Sequence, residues 1–162
     1  MHSVEDLEIQ PMQPEHLSSV LAIESVSFPT PWSHRAYMGE LTRNNFAHYF
    51  VGLIEGQVVG YIGLWIMVDE AHITTIAVHP EYRGNKFAER FIQFAEEYSK
   101  IWGAEKMVLE VRVSNEAAQK VYKRLGFEVI GLRKQYYNDT LEDALVMLKR
   151  YAGFININEK IT

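Results

Sequence analysis

Two stretches of the chain combine residue types that could bind an anion and move a proton. Residues 76–92 read IAVHPEYRGNKFAERFI, and residues 107–127 read MVLEVRVSNEAAQKVYKRLGF. The first places a basic, glycine-containing loop before a helix, whose free N–H groups suit a diphosphate. The second places Glu110 on a strand and Tyr122 on the next helix, and a carboxylate with a phenol suits proton transfer. Together they predict an acyl transferase that uses a phosphate-bearing carrier.

The composition restricts the class of protein. The chain has 162 residues, of which 48% are hydrophobic and 12% aromatic, as in a packed globular domain. Its net charge of −5 offers no basic field to nucleic acid and would attract a basic protein partner. The absence of cysteine excludes thiol nucleophiles, disulfides and cysteine-based metal sites. We therefore predict a protein without direct contact to nucleic acid.

The sequence indicates neither a targeting segment nor a metal site. The N-terminus MHSVEDLEIQ lacks a basic region followed by an apolar stretch, and no window approaches the ~20 apolar residues of a membrane span. The six histidines include no pair at i, i+4 spacing, so we predict no bound metal. These features predict a cytoplasmic monomer that does not contact a membrane.

The apolar periodicity predicts the elements that must position these side chains. The predicted strands are 7–12, 47–54, 58–68, 72–78, 107–113, 127–137 and 143–149. Helices are predicted at 17–28, after Ser33, after Arg83 as far as Gly103, and after Asn115. Short connections imply antiparallel neighbours. The expected fold is α/β (α+β), a mixed, mostly antiparallel twisted sheet of about six or seven strands with helices on both faces. A single domain would span 1–162, with the tail 151–162 left unassigned.

Both reactive side chains also have plain structural interpretations. In the strand 107–113, apolar side chains alternate with polar ones, so Glu110 could simply pair with Arg112. Tyr122 lies on the apolar stripe of its helix and could be a core aromatic. Asn115 could serve as the N-cap of the same helix. The local pattern alone does not choose between these interpretations and a catalytic one.

Four segments of the chain resemble one known family. They are FPTPWS (28–33), DEAHITTIAVHPEYRGNKFA (69–88), LEVRVSNEAAQKVYKRLGF (109–127) and RKQYYNDTLEDALVM (133–147). They resemble the GCN5-related N-acetyltransferase (GNAT) family and, within it, the bacterial ribosomal-protein-alanine N-acetyltransferases of the RimI type. The resemblance covers about residues 24–147. The spacing LEVRxSNxxAxxxYxxxGF is its most specific part.

The resemblance implies that acetyl-CoA is the co-substrate, and it also implies where acetyl-CoA binds. In this family the fourth and fifth strands splay apart, and acetyl-CoA fills the wedge between them. The pantetheine arm would contact the backbone of Ile76, Ala77 and Val78. The other cofactor contacts would come from Arg83, Gly84, Asn85, Lys86, Phe87, Ala88, Glu89 and Asn115. Lys86 replaces a glycine of the family pattern, and because lysine disfavours positive φ, we expect ordinary helical geometry there.

The resemblance also implies roles in the reaction. Glu110 would be the general base, Tyr122 the general acid, and a backbone N–H near Val78 would stabilise the oxyanion. Trp32 of the 28–33 turn and the pair Tyr136 and Tyr137 would line the acceptor groove. A carboxylate of the NDTLED segment, at 142 or 143, would bind a basic second residue of the acceptor.

The acceptor follows from the same resemblance, supported by acidity. The α-amino group of a protein has a pKa of about 7.7–8.0 and that of lysine about 10.4, so one carboxylate deprotonates the former more easily. We expect an N-terminal amine as acceptor, specifically the N-terminal alanine of a small-subunit ribosomal protein. Acetylation of a small amine or a lysine side chain, and a non-catalytic acyl-CoA-binding module, are the alternatives.

Overall fold

The computed structural model describes residues 2–152, which form a sheet of seven strands packed between helices. The strands are β1 (Glu8–Pro11), β2 (Ala47–Ile54), β3 (Gln57–Met67), β4 (Glu70–Val78), β5 (Lys106–Arg112), β6 (Glu128–Arg133) and β7 (Ala144–Arg150). The helices are α1 (Leu17–Ser27), α2 (His34–Thr42), α3 (Phe87–Ile101) and α4 (Glu116–Arg124). Within residues 2–152, every helix is too short or too polar to cross a lipid bilayer.

The sheet confirms the predicted mixed topology. Its strand order is β1-β2-β3-β4-β5-β7-β6, and every pairing is antiparallel except that of β4 with β5. The parallel pairing covers three residues, from Glu70 opposite Lys106 to His72 opposite Val108. Beyond His72, β4 continues beside β3 alone, and β5 continues beside β7 alone. The predicted splaying of the central strands is therefore present.

A bulge bends β4 at the point where it leaves β5. Leu64 of β3 pairs with Ile73, whereas Gly63 pairs with Thr75, so Thr74 is an extra residue in β4. Such a bulge increases the local bend of a strand. Gly63 is required opposite it, because a Cβ there would lie 2.5 Å from the Tyr49 ring. The bulge therefore helps to open the wedge between the two strands.

The two faces of the sheet bury separate cores. One face packs against α3, whose fully buried side chains include Phe87 and Phe91. The other face packs against α1 and α2, and its core is rich in tyrosine, with Tyr37, Tyr49 and Tyr61 buried. Each such side chain contributes on the order of 2 kcal/mol by leaving water. The prediction of helices on both faces is confirmed.

The structure departs from the predicted elements in three places. Strand β6 ends at Arg133 rather than at 137, because Gln135 has a φ of +51° and its N–H donates to the Asp143 side chain. Ile101, whose helical spacing from Phe87, Phe91 and Tyr98 predicts a place on the buried face of α3, is 84% exposed. Tyr151, expected in the unassigned tail, is buried, and its hydroxyl lies 2.7 Å from Ser99 Oγ. The rest of that tail, 153–162, lies outside the described residues.

Candidate active site

Glu110 lies where β5 has just parted from β4. Its neighbours Leu109 and Val111 point into the core under α3, so strand alternation turns Glu110 to the face of α1 and α2. The side chain is only 6% exposed, and Oε2 lies 2.6 Å from His72 Nε2. His72 pairs with Val108, which precedes Glu110 by two residues, so the Val108 and Glu110 side chains lie on the same face of β5. The parallel register of β4 and β5 thus places His72 within hydrogen-bonding distance of Glu110.

The second carboxylate oxygen of Glu110 has no such partner. Oε1 is buried and accepts no hydrogen bond from any residue of 2–152; the nearest cation is Arg133, with Nη1 at 3.8 Å. A buried acceptor without a donor costs about 1–3 kcal/mol, so native structures keep few of them and often at functional sites. A bound amine or water molecule would satisfy this oxygen.

The alternative pairing of Glu110 with Arg112 is wrong. The Arg112 guanidinium instead donates to Asp139 at 2.7 and 3.1 Å and lies 3.9 Å from the centre of the Tyr137 ring. The cation holds the pKa of Asp139 down at about 2. Glu110 is therefore not paired with Arg112, and its contacts are with His72 and, at 3.8 Å, with Arg133.

Tyr122 sits on α4 with its ring against Phe127, 5.9 Å between centroids. Burial raises the pKa of its phenol to about 12. Burial also raises the pKa of Tyr137 to about 12, an effect that the Arg112 guanidinium opposes and the Glu110 carboxylate reinforces. At physiological pH Tyr122 therefore stays protonated and able to donate.

The loop between β6 and β7, residues 134–143, carries the two tyrosines expected to line the groove; we term it the acceptor loop. The rings of Tyr136 and Tyr137 lie 5.0 Å apart and nearly perpendicular, and Tyr136 is 39% exposed. Burial and the charge of Glu110 both raise the pKa of Tyr136. The Arg133 guanidinium lies 5.6 Å from the Tyr136 ring. The structure thus brings this aromatic pair to the carboxylate, as the predicted groove requires.

The carboxylates expected to bind a basic second residue are used inside the protein. Glu142 accepts the Ser114 N–H at 2.7 Å, and Asp143 accepts the Gln135 N–H at 2.8 Å. Both bonds hold the acceptor loop in shape. Each carboxylate thus accepts an internal hydrogen bond, and a role of either one toward the acceptor stays a prediction.

The opposite wall is the turn 28–33 between α1 and α2, which we term the acceptor turn. Its Trp32 is half-buried, with the ring 5.2 Å from Tyr37 and 6.4 Å from Tyr49. Thr30 Oγ1 donates to Asp139 at 3.3 Å, which ties this turn to the acceptor loop. The predicted N-cap at Ser33 is confirmed, since its hydroxyl accepts the Ala36 N–H at 3.1 Å.

The splayed half of β4 offers a free backbone edge to a ligand. Ile76, Ala77 and Val78 pair with β3 on one side, and no strand of residues 2–152 pairs with them on the other; of their carbonyls, that of Val78 accepts the Arg83 side chain. Backbone N–H and C=O groups on such an edge can bond an amide-bearing chain as if it were a strand. The residues present therefore fit the pantetheine arm of acetyl-CoA.

The start of α3 fits a diphosphate. Lys86 is its N-cap, and its side chain caps no N–H of the first turn. The first N–H groups of a helix have no partner within the helix and carry partial positive charge. The backbone N–H groups of Phe87, Ala88 and Glu89 thus present a site for an anion.

The expected helical geometry at Lys86 is wrong. Its φ is +63° and its ψ +26°, the left-handed conformation, and Gly84 has a φ of +84°. The loop must reverse direction within a few residues to aim the helix start at the wedge, and left-handed residues provide that reversal. A non-glycine residue in this conformation costs roughly 1–2 kcal/mol.

Other side chains predicted to contact the cofactor are occupied differently. Arg83 donates to Val78 O at 3.0 Å and to Ser27 Oγ at 3.3 Å, so it braces the loop. Asn85 donates to Tyr82 O at 2.9 Å. Glu89 forms an ion pair with Arg124, which links α3 to α4. For these three residues the backbone, rather than the side chain, is the available contact.

Asn115 is the N-cap of α4, and its cofactor contact stays a prediction. Its Oδ1 accepts the Ala118 N–H at 3.1 Å, which confirms the N-cap of α4. Its Nδ2 makes no hydrogen bond within residues 2–152, so the amide can still donate to a ligand. No group of three or more metal-ligating side chains is assembled in the same part of the chain.

Sequence spacing could not have found His72. It is 38 residues from Glu110, and only the parallel register brings the two together. Its one sequence signal was its position as the first residue of the strand predicted over 72–78. The histidine fixes one oxygen of the carboxylate and leaves the other directed elsewhere.

Comparisons with known proteins relate the chain to one family. The sequence profile of the acetyltransferase (GNAT) family matches residues 16–127. A Bacillus subtilis protein provisionally named ribosomal protein bS18-alanine N-acetyltransferase is 42% identical over 151 residues, which cover 93% of this chain and 96% of the relative.

Solved structures extend the likeness to the fold. The ribosomal-protein-S18-alanine N-acetyltransferase from Escherichia coli matches with a TM-score of 0.83 and 25% identity, over 94% of this chain and 97% of that one. A chain of the NatC complex, solved with a Gag peptide and CoA, matches with a TM-score of 0.78 and 18% identity, over 91% and 99%. The second likeness concerns the fold alone.

Replacing Lys86 by glycine should stabilise the protein. Relief of the left-handed strain outweighs the greater entropy of the unfolded chain by about 0.5–1 kcal/mol, a rise in Tm of about 1–4 °C. Differential scanning calorimetry measures the shift. Lys86→Ala is the matched control, because it removes the same charge and keeps the strain, so its Tm should not rise. A Lys86→Gly protein no more stable than Lys86→Ala would contradict the assignment of strain.

Proposed function

The chain belongs to the acetyltransferase (GNAT) family, and on that basis we propose that it transfers acetyl from acetyl-CoA to a protein N-terminal amine. The proposed acceptor is the N-terminal alanine of ribosomal protein bS18, which would place the reaction in the cytoplasm. One observation carries the proposal. The Glu110 carboxylate is buried at the wedge, with Oε2 bound by His72 and Oε1 left without a donor.

Acetyl-CoA supplies an activated thioester, and this chain supplies the surfaces that orient it. The free edge of β4 from Ile76 to Val78 would bond the pantetheine amides. The uncapped start of α3 and the Lys86 side chain would hold the diphosphate. With both ends held, the thioester would lie in the wedge beside Glu110. Proximity of this kind removes much of the entropic barrier of a two-substrate reaction.

Glu110 is the proposed proton acceptor. Deprotonating an α-ammonium at neutral pH costs about 1 kcal/mol or less, against about 4–5 kcal/mol for a lysine ammonium, so a single carboxylate suffices for the former. The His72 contact orients the carboxylate so that Oε1 faces the incoming N–H, directly or through one water. A lone pair on the amine nitrogen can then attack the thioester carbonyl.

Tyr122 is the proposed proton donor to the departing thiolate. Because burial holds its pKa at about 12, the phenol is fully protonated at physiological pH. A neutral O–H directed at sulfur stabilises charge that develops only as the C–S bond breaks, which is the condition for acceleration. Direct transfer in a ternary complex needs no covalent enzyme intermediate, consistent with a chain that has no cysteine.

The acceptor would bind between the two aromatic walls. Trp32 comes from the acceptor turn, and Tyr136 and Tyr137 come from the acceptor loop, with their rings near Glu110. The net charge of −5 favours a basic protein as partner. The names of the Bacillus subtilis and Escherichia coli relatives support the specific acceptor.

The acceptor assignment can be tested with two synthetic peptides and one polyamine. One carries the N-terminal sequence of bS18 with a free alanine, the second has the same sequence with a blocked N-terminus and free lysines, and the third reactant is spermidine in place of a peptide. We expect mass spectrometry to find a single acetyl group on the α-nitrogen of the first only. Acetylation of the blocked peptide or of spermidine at a comparable rate would refute the assignment.

Glu110→Gln should lower kcat most at pH 6–7, by at least about tenfold, and less above pH 8. The reason is that the α-amine loses its own proton as the pH passes its pKa of about 7.7–8.0, so the base becomes dispensable. Initial rates of CoA release over this range measure the effect. An equal loss at every pH would indicate a structural role for Glu110 instead.

Tyr122→Phe should lower kcat by at least about tenfold while the Kd for acetyl-CoA stays within about twofold. The substitution keeps the ring against Phe127 and removes only the hydroxyl. Single-turnover rates and calorimetric titration separate the two quantities. Phe127→Leu is the packing control, since it disturbs the same contact and retains the phenol. Unchanged turnover in Tyr122→Phe would remove Tyr122 from the reaction.

A further inference from the structure

A second carboxylate on the same face of the sheet has no role in the reaction described so far. Glu24 of α1 is only 1% exposed. It forms no salt bridge within residues 2–152. Burying a carboxylate without a cation is costly, and an apolar residue of equal volume would fill the space more cheaply.

Hydrogen bonds from four separate elements compensate this burial. The hydroxyls of Tyr37 and Tyr61 donate to Oε1 at 2.6 and 2.7 Å, and Thr75 Oγ1 lies at 3.5 Å from the same oxygen. The backbone N–H of Trp32 donates to Oε2 at 2.9 Å. Glu24 thus joins α2, β3, β4 and the acceptor turn.

The hydrogen bond from the Trp32 N–H to Glu24 is important because few other hydrogen bonds connect the acceptor turn to the rest of the protein. Two of its six residues, Pro29 and Pro31, have no N–H to donate. Within residues 2–152, its hydrogen bonds to the rest of the protein are the Trp32 N–H to Glu24 and the Thr30 hydroxyl to Asp139, apart from the last bond of α1 at Phe28 and the first bonds of α2 at Ser33. Of the two, only the bond to Glu24 is shielded from water.

The position of Thr75 connects this carboxylate to the wedge. Thr75 follows the bulge residue Thr74 and lies in the half of β4 that has parted from β5. Glu24 therefore bonds both to the wall that would contact the acceptor and to the strand that would hold the cofactor. A shift of either would change the distance between the two substrates.

We infer that Glu24 is a positioning residue for the acceptor, which fixes the acceptor turn and its Trp32 at a set distance from β4. It touches neither substrate. This inference rests on the proposed function, because it assumes that the 28–33 turn contacts an acceptor. Loss of the carboxylate should weaken acceptor binding and leave the chemical step and cofactor binding nearly intact.

Glu24→Met tests the inference, since methionine fills a similar volume and accepts no hydrogen bond from Trp32. We expect KM for the bS18 peptide to rise by at least about tenfold, as for the loss of a hydrogen bond to a charged group. The kcat should stay within about threefold and the Kd for acetyl-CoA within about twofold. Glu24→Gln should restore KM, because its carbonyl can accept the Trp32 N–H while its amide donates to the phenol oxygens.

Tyr61→Phe is the matched control. It removes a hydrogen bond to the same buried carboxylate and leaves the Trp32 bond in place. It should lower Tm and leave the KM for the peptide within about twofold. A similar rise in KM for Tyr61→Phe and Glu24→Met, or an unchanged KM in Glu24→Met, would overturn the inference.

Hydrogen exchange gives a readout that depends neither on activity nor on the folding of a variant. In the unmodified protein, the Trp32 N–H should exchange at least about tenfold more slowly than the Thr30 N–H, because only the former is bonded to a buried group. Equal exchange of the two amides would overturn the inference. Failure of the unmodified protein to acetylate the bS18 peptide, with Trp32 protected, would instead count against the proposed function.

Discussion

The parting of β4 from β5 after three paired residues is the constraint on which the rest of the structure depends. Two parallel strands that stayed paired would satisfy their backbone groups with each other and leave no edge for a ligand. The bulge at Thr74 and the close contact of Gly63 with the Tyr49 ring bend β4 away. The wedge that results exposes a backbone edge on one strand and brings a carboxylate from the other to its base.

Three energetically unfavourable local features lie around this wedge. Glu110 keeps a buried oxygen without a donor, Lys86 adopts a left-handed conformation, and α3 begins without a side-chain cap. Each would be unfavourable in a purely structural element. A bound amine could donate to the Glu110 oxygen, and a bound phosphate could accept the free N–H groups of α3. The fold therefore concentrates unsatisfied groups at the positions where the two proposed substrates would supply the missing partners.

The two buried carboxylates, Glu110 and Glu24, differ in how many hydrogen-bond donors they have, and this difference separates a proposed catalytic role from a structural one. Glu110 has one bonded oxygen and one open oxygen, so it can still accept a proton from a substrate. Glu24 has both oxygens bonded by phenols, a hydroxyl and a backbone N–H, so it has little capacity left for chemistry. The same residue type thus serves as a proposed base in one place and as a structural anchor in the other, because the number of donors differs.

The sequence by itself determined the elements and the positions of the motif residues, because helix and strand periodicity, caps at Ser33 and Asn115, and the turn glycines are local properties. It also indicated the wedge, though only through family resemblance. The tertiary structure alone decided which side chains meet: His72 with Glu110, Arg112 with Asp139, and Glu24 with the acceptor turn. It also decided the left-handed geometry of Lys86. These outcomes depend on strand register and loop closure between residues far apart in the chain, which no local pattern encodes.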